Sequence, residues 1–325
     1  MKRPLSKIGV FLRYFPKLFL KSGTYRIKLK KYLGYKKYKK LKLAMTLLVK
    51  DEENLIEQNI RFHRAMGVDV FIVTLHNSTD NTLDIINKLK AEGLPIVTVI
   101  ANEKGYLQAK RVDKMIKTAK KVYKADWVIN ADADEFYYSK DLNLKKSIAK
   151  YDIANVIRLE STFSFPAGNG NRLLSPYFIT NSIPAFWYKL YPNLPKDGRY
   201  TGVNSCPKVI HKTKSYIRIH VGNHDVSMRF KKILPASDII LFHFSDGNYN
   251  DYEAKVKRYM NTFIQADGVA GGHVKFMIDL YNKGKLKEFY DKQFSSEILE
   301  KLLDIGCVTK NYLLINYLKY KDILR

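Results

Sequence analysis

Three carboxylates lie within four positions of one another in the segment WVINADADEF, residues 127–136. Asp132 and Asp134 are two positions apart, so at the end of an extended strand their side chains would point the same way. Like charges held side by side are costly unless a cation or a proton neutralises them. A hard divalent cation, Mg²⁺ or Mn²⁺, is the usual partner of such oxygens and often shares a substrate's phosphates. With Glu135 beside them, the pair indicates a metal–diphosphate site; the alternative is a solvated acidic turn.

The elements that would position these carboxylates begin at residue 43, where apolar runs start to alternate with segments of helical period. Short connections between the two kinds of segment predict an α/β fold, with a mostly parallel sheet flanked by helices. The predicted strands are 43–49, 68–75, 94–100 and 125–131, and the predicted helices are 54–67, 77–93 and 107–123.

Polar residues follow each of the four predicted strands, in the stretches KDEEN, HNSTDNT, NEKGY and DADEF. In parallel sheets, ligands bind outside the carboxyl ends of the strands, where the strand order switches. We therefore expect the functional site where these stretches converge. The sequence has no G-x-G-x-x-G after its first strand and no G-x-x-x-x-G-K-[ST], which argues against a dinucleotide site and a P-loop.

Taken together, LVKDEEN (48–54), NIRFHRAMGVDVFIVTLHNSTDNT (59–82) and WVINADADEF resemble a glycosyltransferase of the GT-A fold in the broad family 2 group. The sequence is most similar to a family 2-like branch whose acidic motif reads D-x-D-E-F. The resemblance covers residues 43–137 and fades to scattered matches through residue 265. It implies a GT-A type fold and the transfer of a sugar from a nucleoside-diphosphate donor to an acceptor hydroxyl.

The resemblance also implies positions that bind the nucleotide of the donor. Lys50, Asp51 and Glu52, after the first strand, would lie beside the nucleotide. Many members carry Asn-Glu at this place, so Asp51 departs from the pattern. Asp80 matches the acid that contacts the base, and Arg111 lies where such enzymes often place a cation or polar group near the donor.

For the metal, the resemblance implies that Asp134 binds the ion bridging the diphosphate and that Asp132 lies near the ribose or the metal. A third ligand from a late strand is common in GT-A folds. His243 is the first candidate and His224 the second, because each ends or follows an apolar run. The alternative for both histidines is a structural hydrogen bond in a semi-buried strand.

An inverting transferase also needs a base that takes the proton of the acceptor hydroxyl. Asp225, in the loop-like segment GNHD, is the candidate that the resemblance suggests, and Asp197 and Asp246 are its competitors. Glu135 completes the acidic motif, where it would orient the acceptor or the sugar. Asp225 and Glu135 are therefore the predicted catalytic residues.

The N-terminal segment is a separate electrostatic unit. Sixteen of the 57 Lys and Arg residues lie within the first 50 residues, which contain no Asp or Glu. Apolar residues recur at helical spacing between these cations, a pattern typical of a helix on an anionic membrane surface. A solvated basic tail and nucleic-acid binding are the alternatives. No apolar run is long enough to span a bilayer.

These observations divide the chain into a basic amphipathic membrane-surface segment, a transferase domain and a helical C-terminal extension. The ranges are 1–42, 43–248 and 249–325, and the middle one comprises a nucleotide-binding half, 43–137, and an acceptor half, 138–248. We expect an inverting glycosyltransferase that uses Mn²⁺ or Mg²⁺ and a nucleotide sugar. The expected setting is bacterial surface polysaccharide or lipopolysaccharide synthesis, peripheral on the cytoplasmic face of the cell membrane, with a glycan or lipid-linked acceptor and no nucleic acid.

Two other classes of protein compete with this interpretation. A phosphatase of the haloacid-dehalogenase type uses the first Asp of D-x-D-x-[TV] as a nucleophile, but Glu135 and Phe136 follow the motif here, and it comes after the fourth strand. A non-enzymatic basic protein that binds membrane or nucleic acid on an α/β scaffold is the remaining alternative. It would depend on residues 1–42, whereas a transferase would retain activity on a soluble acceptor without them.

Overall fold

The structure is a computed structural model that describes residues 38–101, 107–166, 170–183, 207–265 and 272–324. Strands and helices alternate through its first part, as the sequence predicted. The elements are β1 (Leu43–Val49), α1 (Ile56–Ala65), β2 (Val70–His76), α2 (Thr82–Ala91), β3 (Ile96–Ala101), α3 (Gln108–Lys121) and β4 (Trp127–Ala131).

Short strands dominate the middle of the chain, and helices dominate its end. The middle elements are β5 (Glu135–Ser139), α4 (Leu144–Ile148), β6 (Val156–Leu159), β7 (Ser161–Ser164), β8 (Tyr177–Ile179), β9 (Lys208–Lys212), β10 (Tyr216–Ile219), β11 (Val226–Met228), β12 (Ile233–Pro235) and β13 (Ile239–His243). The last elements are α5 (Tyr249–Gln265), α6 (Gly272–Asn282), α7 (Leu286–Gln293), α8 (Ser296–Asp304), β14 (Val308–Lys310) and α9 (Leu313–Tyr320).

The main sheet has the strand order β12-β6-β9-β4-β1-β2-β3. Strands β4, β1, β2 and β3 are parallel to one another, whereas β9 is antiparallel to both of its neighbours, β4 and β6. The chain runs outward from β1 through β2 to β3 and then returns to form β4 on the other side of β1. The strand order therefore switches between β1 and β4, the place where such sheets bind ligands. The predicted α/β class, with a mainly parallel sheet and flanking helices, is confirmed.

Strand β1 shows why helices cover both faces of this sheet. Leu43, Met45 and Leu47 pack into the core formed with α1 and α2, while Ala44 packs into the core formed with α3. Successive side chains of a strand point to opposite faces, so a strand buried on both faces needs apolar residues at every position. The run 43–49 satisfies that requirement at every position except Thr46, whose buried hydroxyl is hydrogen-bonded to Asn130.

A second sheet, in the order β14-β8-β7-β13-β5, packs beside the first. Strand β13 lies antiparallel to β5, so that His243 pairs with Glu135 and Phe242 with Phe136. The C-terminal part is mostly helical, as predicted, but it also supplies β14, whose Val308 pairs with Ile179. Three residues are too few for a period-2 pattern to stand out in the sequence.

A buried polar chain joins three adjacent strands of the main sheet. The Thr46 hydroxyl donates to Asn130 Oδ1 at 2.7 Å, and Asn130 Nδ2 lies 3.0 Å from Nε2 of His211. His211 Nδ1 faces the carbonyl oxygen of Lys212 at 3.0 Å. Nδ1 must therefore donate and Nε2 must accept, which requires a neutral ring. Burial lowers the pKa of His211 to about 4.

This neutral histidine makes the stability of the fold depend on pH. The folded pKa of about 4 lies below the ordinary value of 6.5, so the stabilisation is complete above pH 6.5 and is lost as the pH falls toward 4. Acidification from pH 7.5 to 5.5 should lower the free energy of unfolding by about 1.4 kcal/mol through His211 alone. Urea unfolding of the wild type and His211→Gln at both pH values measures this. Equal pH dependence in the two proteins would contradict it.

Candidate functional site

A cavity of about 510 Å³ opens at the carboxyl ends of β1 and β4. Residues from both sheets and from α5 meet there. The lining comprises Leu48, Lys50, Glu52, Asp132, Ala133, Asp134, Phe163, Arg172, Lys208, Gly222, His224, His243, Ser245, Gly247, Asp251, Lys255, Arg258 and Tyr259. The position of the cavity at the switch point agrees with the site expected from the sequence.

Helix α1 holds the backbone of the acidic loop. Asn59 Nδ2 donates to the carbonyl oxygens of Ala133 and Glu135, both at 2.9 Å, and His63 Nε2 accepts from the backbone N–H of Tyr137 at 3.0 Å. His63 Nδ1 lies 2.8 Å from the carbonyl oxygen of Asn59, so the ring is neutral with its proton on Nδ1. Burial lowers its pKa to about 3. Sequence reasoning did not single out these two residues, which are polar and fully buried on a helix.

Lys208 neutralises two of the three clustered carboxylates. Its Nζ lies 2.8 Å from Asp132 Oδ2 and 2.8 Å from Glu135 Oε1. Strand β9 runs antiparallel to β4, so β9 begins with Lys208 where β4 ends. Burial would lower the pKa of Lys208, but the two carboxylates hold it well above its usual value. A lysine of the chain itself therefore neutralises Asp132, where the sequence predicted a metal cation.

Glu135 lies behind the cavity wall and is fully buried. Its Oε2 accepts from the backbone N–H of Asp132 at 3.1 Å, and burial raises its pKa against the opposing charge of Lys208. It is outside the cavity lining, so its contact with an acceptor or sugar stays a prediction. In the structure, Glu135 positions Asp132 and Lys208.

Asp134 faces His243 across the junction of the two sheets. His243 Nε2 lies 3.5 Å from Asp134 Oδ2, and Phe244 N donates to Asp134 O at 2.9 Å. Asp134 Oδ1 is buried and has no hydrogen-bond partner among the described residues. Burial would raise the pKa of Asp134, but the charges of His243, Lys255 and Arg172 hold it below its usual range. The carboxylate is therefore ionised and has a free oxygen.

Asp134 and His243 fit a divalent cation only as a pair. Across the described ranges, no group of three or more His, Cys, Asp or Glu side chains is arranged to hold a metal ion. Mg²⁺ is commonly held by one or two carboxylates together with substrate phosphates and water. The orphaned Asp134 Oδ1 and the adjacent imidazole, which would bind the ion in its neutral form with the cation replacing the proton, meet that minimal requirement. The remaining ligands would have to come from the substrate and solvent.

Glu52 enters the cavity from the loop after β1. Burial raises its pKa to about 8, and the charge of Asp134 adds to the effect, while Arg258 and Arg172 oppose it. In most molecules the Glu52 carboxyl group is therefore protonated at neutral pH. A protonated carboxyl can donate a hydrogen bond, which suits contact with a phosphate or hydroxyl oxygen.

Asp51 and Asp80 join the loop after β1 to the loop after β2. Asp51 Oδ1 accepts from the backbone N–H of Thr79 at 2.7 Å, and Asp80 Oδ2 accepts from that of Glu53 at 3.0 Å. Neither residue is in the cavity lining. Arg111 is buried on α3 and is also outside the lining. Their contacts with a nucleotide stay predictions.

The predicted base, Asp225, is not brought to the cavity. It pairs with Lys231 at 2.5 Å, and 45% of its side chain is exposed. His224 does line the cavity, with Nδ1 2.9 Å from the carbonyl oxygen of Pro207. Asp246 is buried near Lys255, 3.5 Å away, and Asp197 lies outside the described residues. The structure instead brings Asp251 to the cavity, a residue that the sequence did not single out.

The cavity also contains cations that sequence reasoning missed. Lys255 and Arg258 lie on α5, and Arg172 lies in a one-turn 3₁₀ helix, Arg172–Leu174. The sequence predicted no site residue in the segment 249–325. Asp251, Lys255 and Arg258 recur at helical spacing, but the same spacing describes any solvated helix face.

The α/β fold and the acidic loop at its switch point are features that the sequence predicted for a glycosyltransferase of the GT-A fold, and a cation-lined cavity accompanies them. A family model identifies the family. The model of glycosyltransferase family 92 matches residues 44–283, so the chain belongs to glycosyltransferase family 92. The membership confirms a glycosyltransferase, whereas the family 2-like D-x-D-E-F branch is not confirmed. No curated protein sequence matches the chain.

Weaker similarities connect the chain with several solved structures. TarS 1-349 of S. aureus shares 13% identity over 81% of this chain and 74% of its own, with a TM-score of 0.40. Glucosyl-3-phosphoglycerate synthase of Mycobacterium tuberculosis in complex with Mg²⁺ and UDP shares 13% identity over 74% and 84%, with a TM-score of 0.36. HddC of Yersinia pseudotuberculosis shares 15% identity over 66% and 99%, with a TM-score of 0.34. At these scores, the similarities assign no role to any residue.

Removing Lys208 should destabilise the protein, because it leaves Asp132 and Glu135 unpaired. We expect Lys208→Met to lower the free energy of unfolding by roughly 3 kcal/mol, and Lys208→Met/Glu135→Gln to recover part of the loss. Urea unfolding measures both variants. Lys88→Met, on the exposed face of α2, is the control and should change stability by less than about 0.5 kcal/mol. A double variant no more stable than the single one would contradict the ion-pair interpretation.

Proposed function

We propose that the protein is a metal-dependent glycosyltransferase that moves a sugar from a nucleoside-diphosphate donor to a hydroxyl group of a glycan or lipid-linked acceptor. Family membership supports the transfer of a sugar. The observation that carries the donor class is the pairing of ionised Asp134 with His243 in a cavity with five Lys or Arg side chains. Anionic phosphates and a divalent cation together match such a lining.

Asp134 and His243 would hold the cation, either Mn²⁺ or Mg²⁺. Once bound, it would supply charge neutralisation for the leaving nucleoside diphosphate. Asp132 was also expected as a ligand, but Lys208 pairs with its Oδ2 at 2.8 Å. We therefore assign Asp132 to the ribose side of the donor, where a carboxylate held in place by lysine can accept hydrogen bonds from hydroxyl groups.

An inverting course needs a carboxylate that accepts the proton of the attacking hydroxyl. Asp251 lines the cavity, whereas Asp225 does not. Glu52 is mostly protonated at neutral pH because its pKa is about 8. In this proposal Asp251 takes the proton and Glu52 donates a hydrogen bond to the donor. Arg172, 3.7 Å from Asp251 Oδ2, would keep Asp251 oriented.

The setting of the reaction is also part of the proposal. A lipid-linked or polymeric glycan acceptor, in bacterial surface polysaccharide or lipopolysaccharide synthesis, suits an enzyme bound peripherally to the inner face of the cell membrane. The cationic and apolar composition of residues 1–42 supports this attachment, although residues 1–37 lie outside the described structure. None of the described helices has the length and apolarity needed to cross a bilayer.

The donor site can be tested by calorimetric titration of UDP and GDP into the full chain, with Mn²⁺ or with EDTA. We expect one nucleotide to bind with Mn²⁺ and its affinity to fall by about tenfold or more, both in EDTA and in Asp134→Asn. Asp84→Asn, an exposed acid on α2, is the control and should bind like the wild type. The donor assignment would be wrong if no nucleoside diphosphate bound in the presence of metal.

A further inference from the structure

We propose that Arg172, Lys255 and Arg258 form a diphosphate-binding cluster that recognises the donor without help from the metal. This inference rests on the proposed function, because it assigns a second binding element to the same donor. It gives α5, in the part of the chain with no predicted site residue, a direct role in donor binding. The cluster is named the C-terminal cation cluster below.

Helix α5 turns one face toward the cavity and the other toward the C-terminal helices. Tyr252 and Val256 are buried in a separate apolar cluster with Leu286 and Tyr290. Lys255 and Arg258 line the cavity instead and are three positions apart, which places them on neighbouring parts of one helix face. The packing of the apolar face against α7 thus fixes the direction in which the two cations point.

Two cations of the cluster, Arg172 and Lys255, are held in place by carbonyl oxygens and lie farther from their nearest carboxylates than Lys208 does. Lys255 Nζ donates to the carbonyl oxygen of Ser245 at 2.6 Å and is 3.5 Å from Asp246. Arg172 Nη1 is 3.4 Å from the carbonyl oxygen of Phe244, and Nη2 is 3.7 Å from Asp251. Lys208, by contrast, contacts two carboxylates at 2.8 Å. Lys208 is therefore neutralised by the fold, whereas much of the charge at Arg172 and Lys255 remains available.

Cations slightly outnumber carboxylates in the cavity lining. The lining contains five Lys or Arg side chains and four Asp or Glu side chains, while Glu135 and Asp246 lie behind it, next to Lys208 and Lys255. One of the four, Glu52, has a pKa of about 8 and is mostly uncharged at neutral pH. Arg172, Lys255 and Arg258 line the same cavity, so an anionic group that enters it would meet these three cations.

Phosphate is the chemistry that best fits the C-terminal cation cluster. A guanidinium group donates two parallel hydrogen bonds to phosphate oxygens, and a lysine adds a compact positive charge. A sugar or an acceptor hydroxyl is neutral and would offer these cations no opposite charge. Arg172 and Lys255 line the same cavity as Asp134 and His243, so a diphosphate bound by the cluster would share that cavity with a cation held by Asp134 and His243.

The test uses the full chain and inorganic pyrophosphate in EDTA, so that neither metal nor nucleoside contributes. We expect calorimetric titration to show binding to the wild type, weakened by about tenfold or more in Lys255→Gln, Arg258→Gln and Arg172→Gln. Lys257→Gln is the matched control, because Lys257 lies on the exposed side of the same helix and pairs with Glu253. It should change the affinity less than about twofold.

Thermal unfolding of each variant separates lost binding from lost folding, and three independent positions keep the test valid if one variant is unstable. The proposal is overturned if pyrophosphate does not bind in EDTA while a nucleoside diphosphate binds with Mn²⁺, in which case the metal-dependent donor site stands. It is also overturned if Lys257→Gln weakens binding as much as the cluster variants. Pyrophosphate binding by the cluster without any nucleotide binding in Mn²⁺ would instead support the cluster and contradict the proposed function.

Discussion

Repulsion among the three carboxylates that follow β4 is the constraint on which the rest of the site depends, because Asp132 and Asp134 lie in the turn after β4 and Glu135 begins β5. The fold offsets this repulsion unequally. Lys208 approaches Asp132 and Glu135 from the start of β9, and His243 approaches Asp134 from the end of β13. The first two carboxylates are thereby committed to an internal ion pair. The third is left with a buried oxygen that has no described partner, and this asymmetry makes Asp134 the residue that can take a cation.

The backbone of the same loop is held from a third direction. Asn59 and His63 on α1 satisfy carbonyl and N–H groups at positions 133, 135 and 137, so the carboxylates do not have to anchor the chain themselves. An unsatisfied buried backbone group costs roughly 1–3 kcal/mol, so the two polar residues stabilise the loop and leave its side chains available. The antiparallel register of β13 and β5 completes the arrangement, because it sets His243 opposite Glu135. The site thus exists only where α1, both sheets and α5 meet.

Charge is divided within the cavity in a way that suits donor binding. Lys208 serves the acidic loop, while Arg172, Lys255 and Arg258 lie where an anion could replace or share their contacts. Glu52 is kept mostly neutral by burial, which reduces the negative charge near Asp134. In the proposed reaction, a cation at Asp134 and the cationic side chains of α5 would both contact the diphosphate. Such a division separates the anchoring of the leaving group from the neutralisation of its charge.

The sequence by itself determined the strand–helix alternation, the strand after which the acidic motif falls, and the candidate Asp134. These features were predictable because apolar periodicity, helix stops and short motifs are local, and the strand-end rule then places them together. His243 became a candidate through the resemblance to GT-A glycosyltransferases. Only the tertiary structure decided that Asp225 and Arg111 lie outside the cavity and that Lys255 and Arg258 line it. It also decided that Lys208 neutralises Asp132. Lys208 is 76 positions from Asp132 in the chain. A basic residue on a helix gives the same sequence pattern whether its face of the helix meets solvent or lines a cavity. Strand register and helix orientation arise from packing between distant segments, which one sequence does not display.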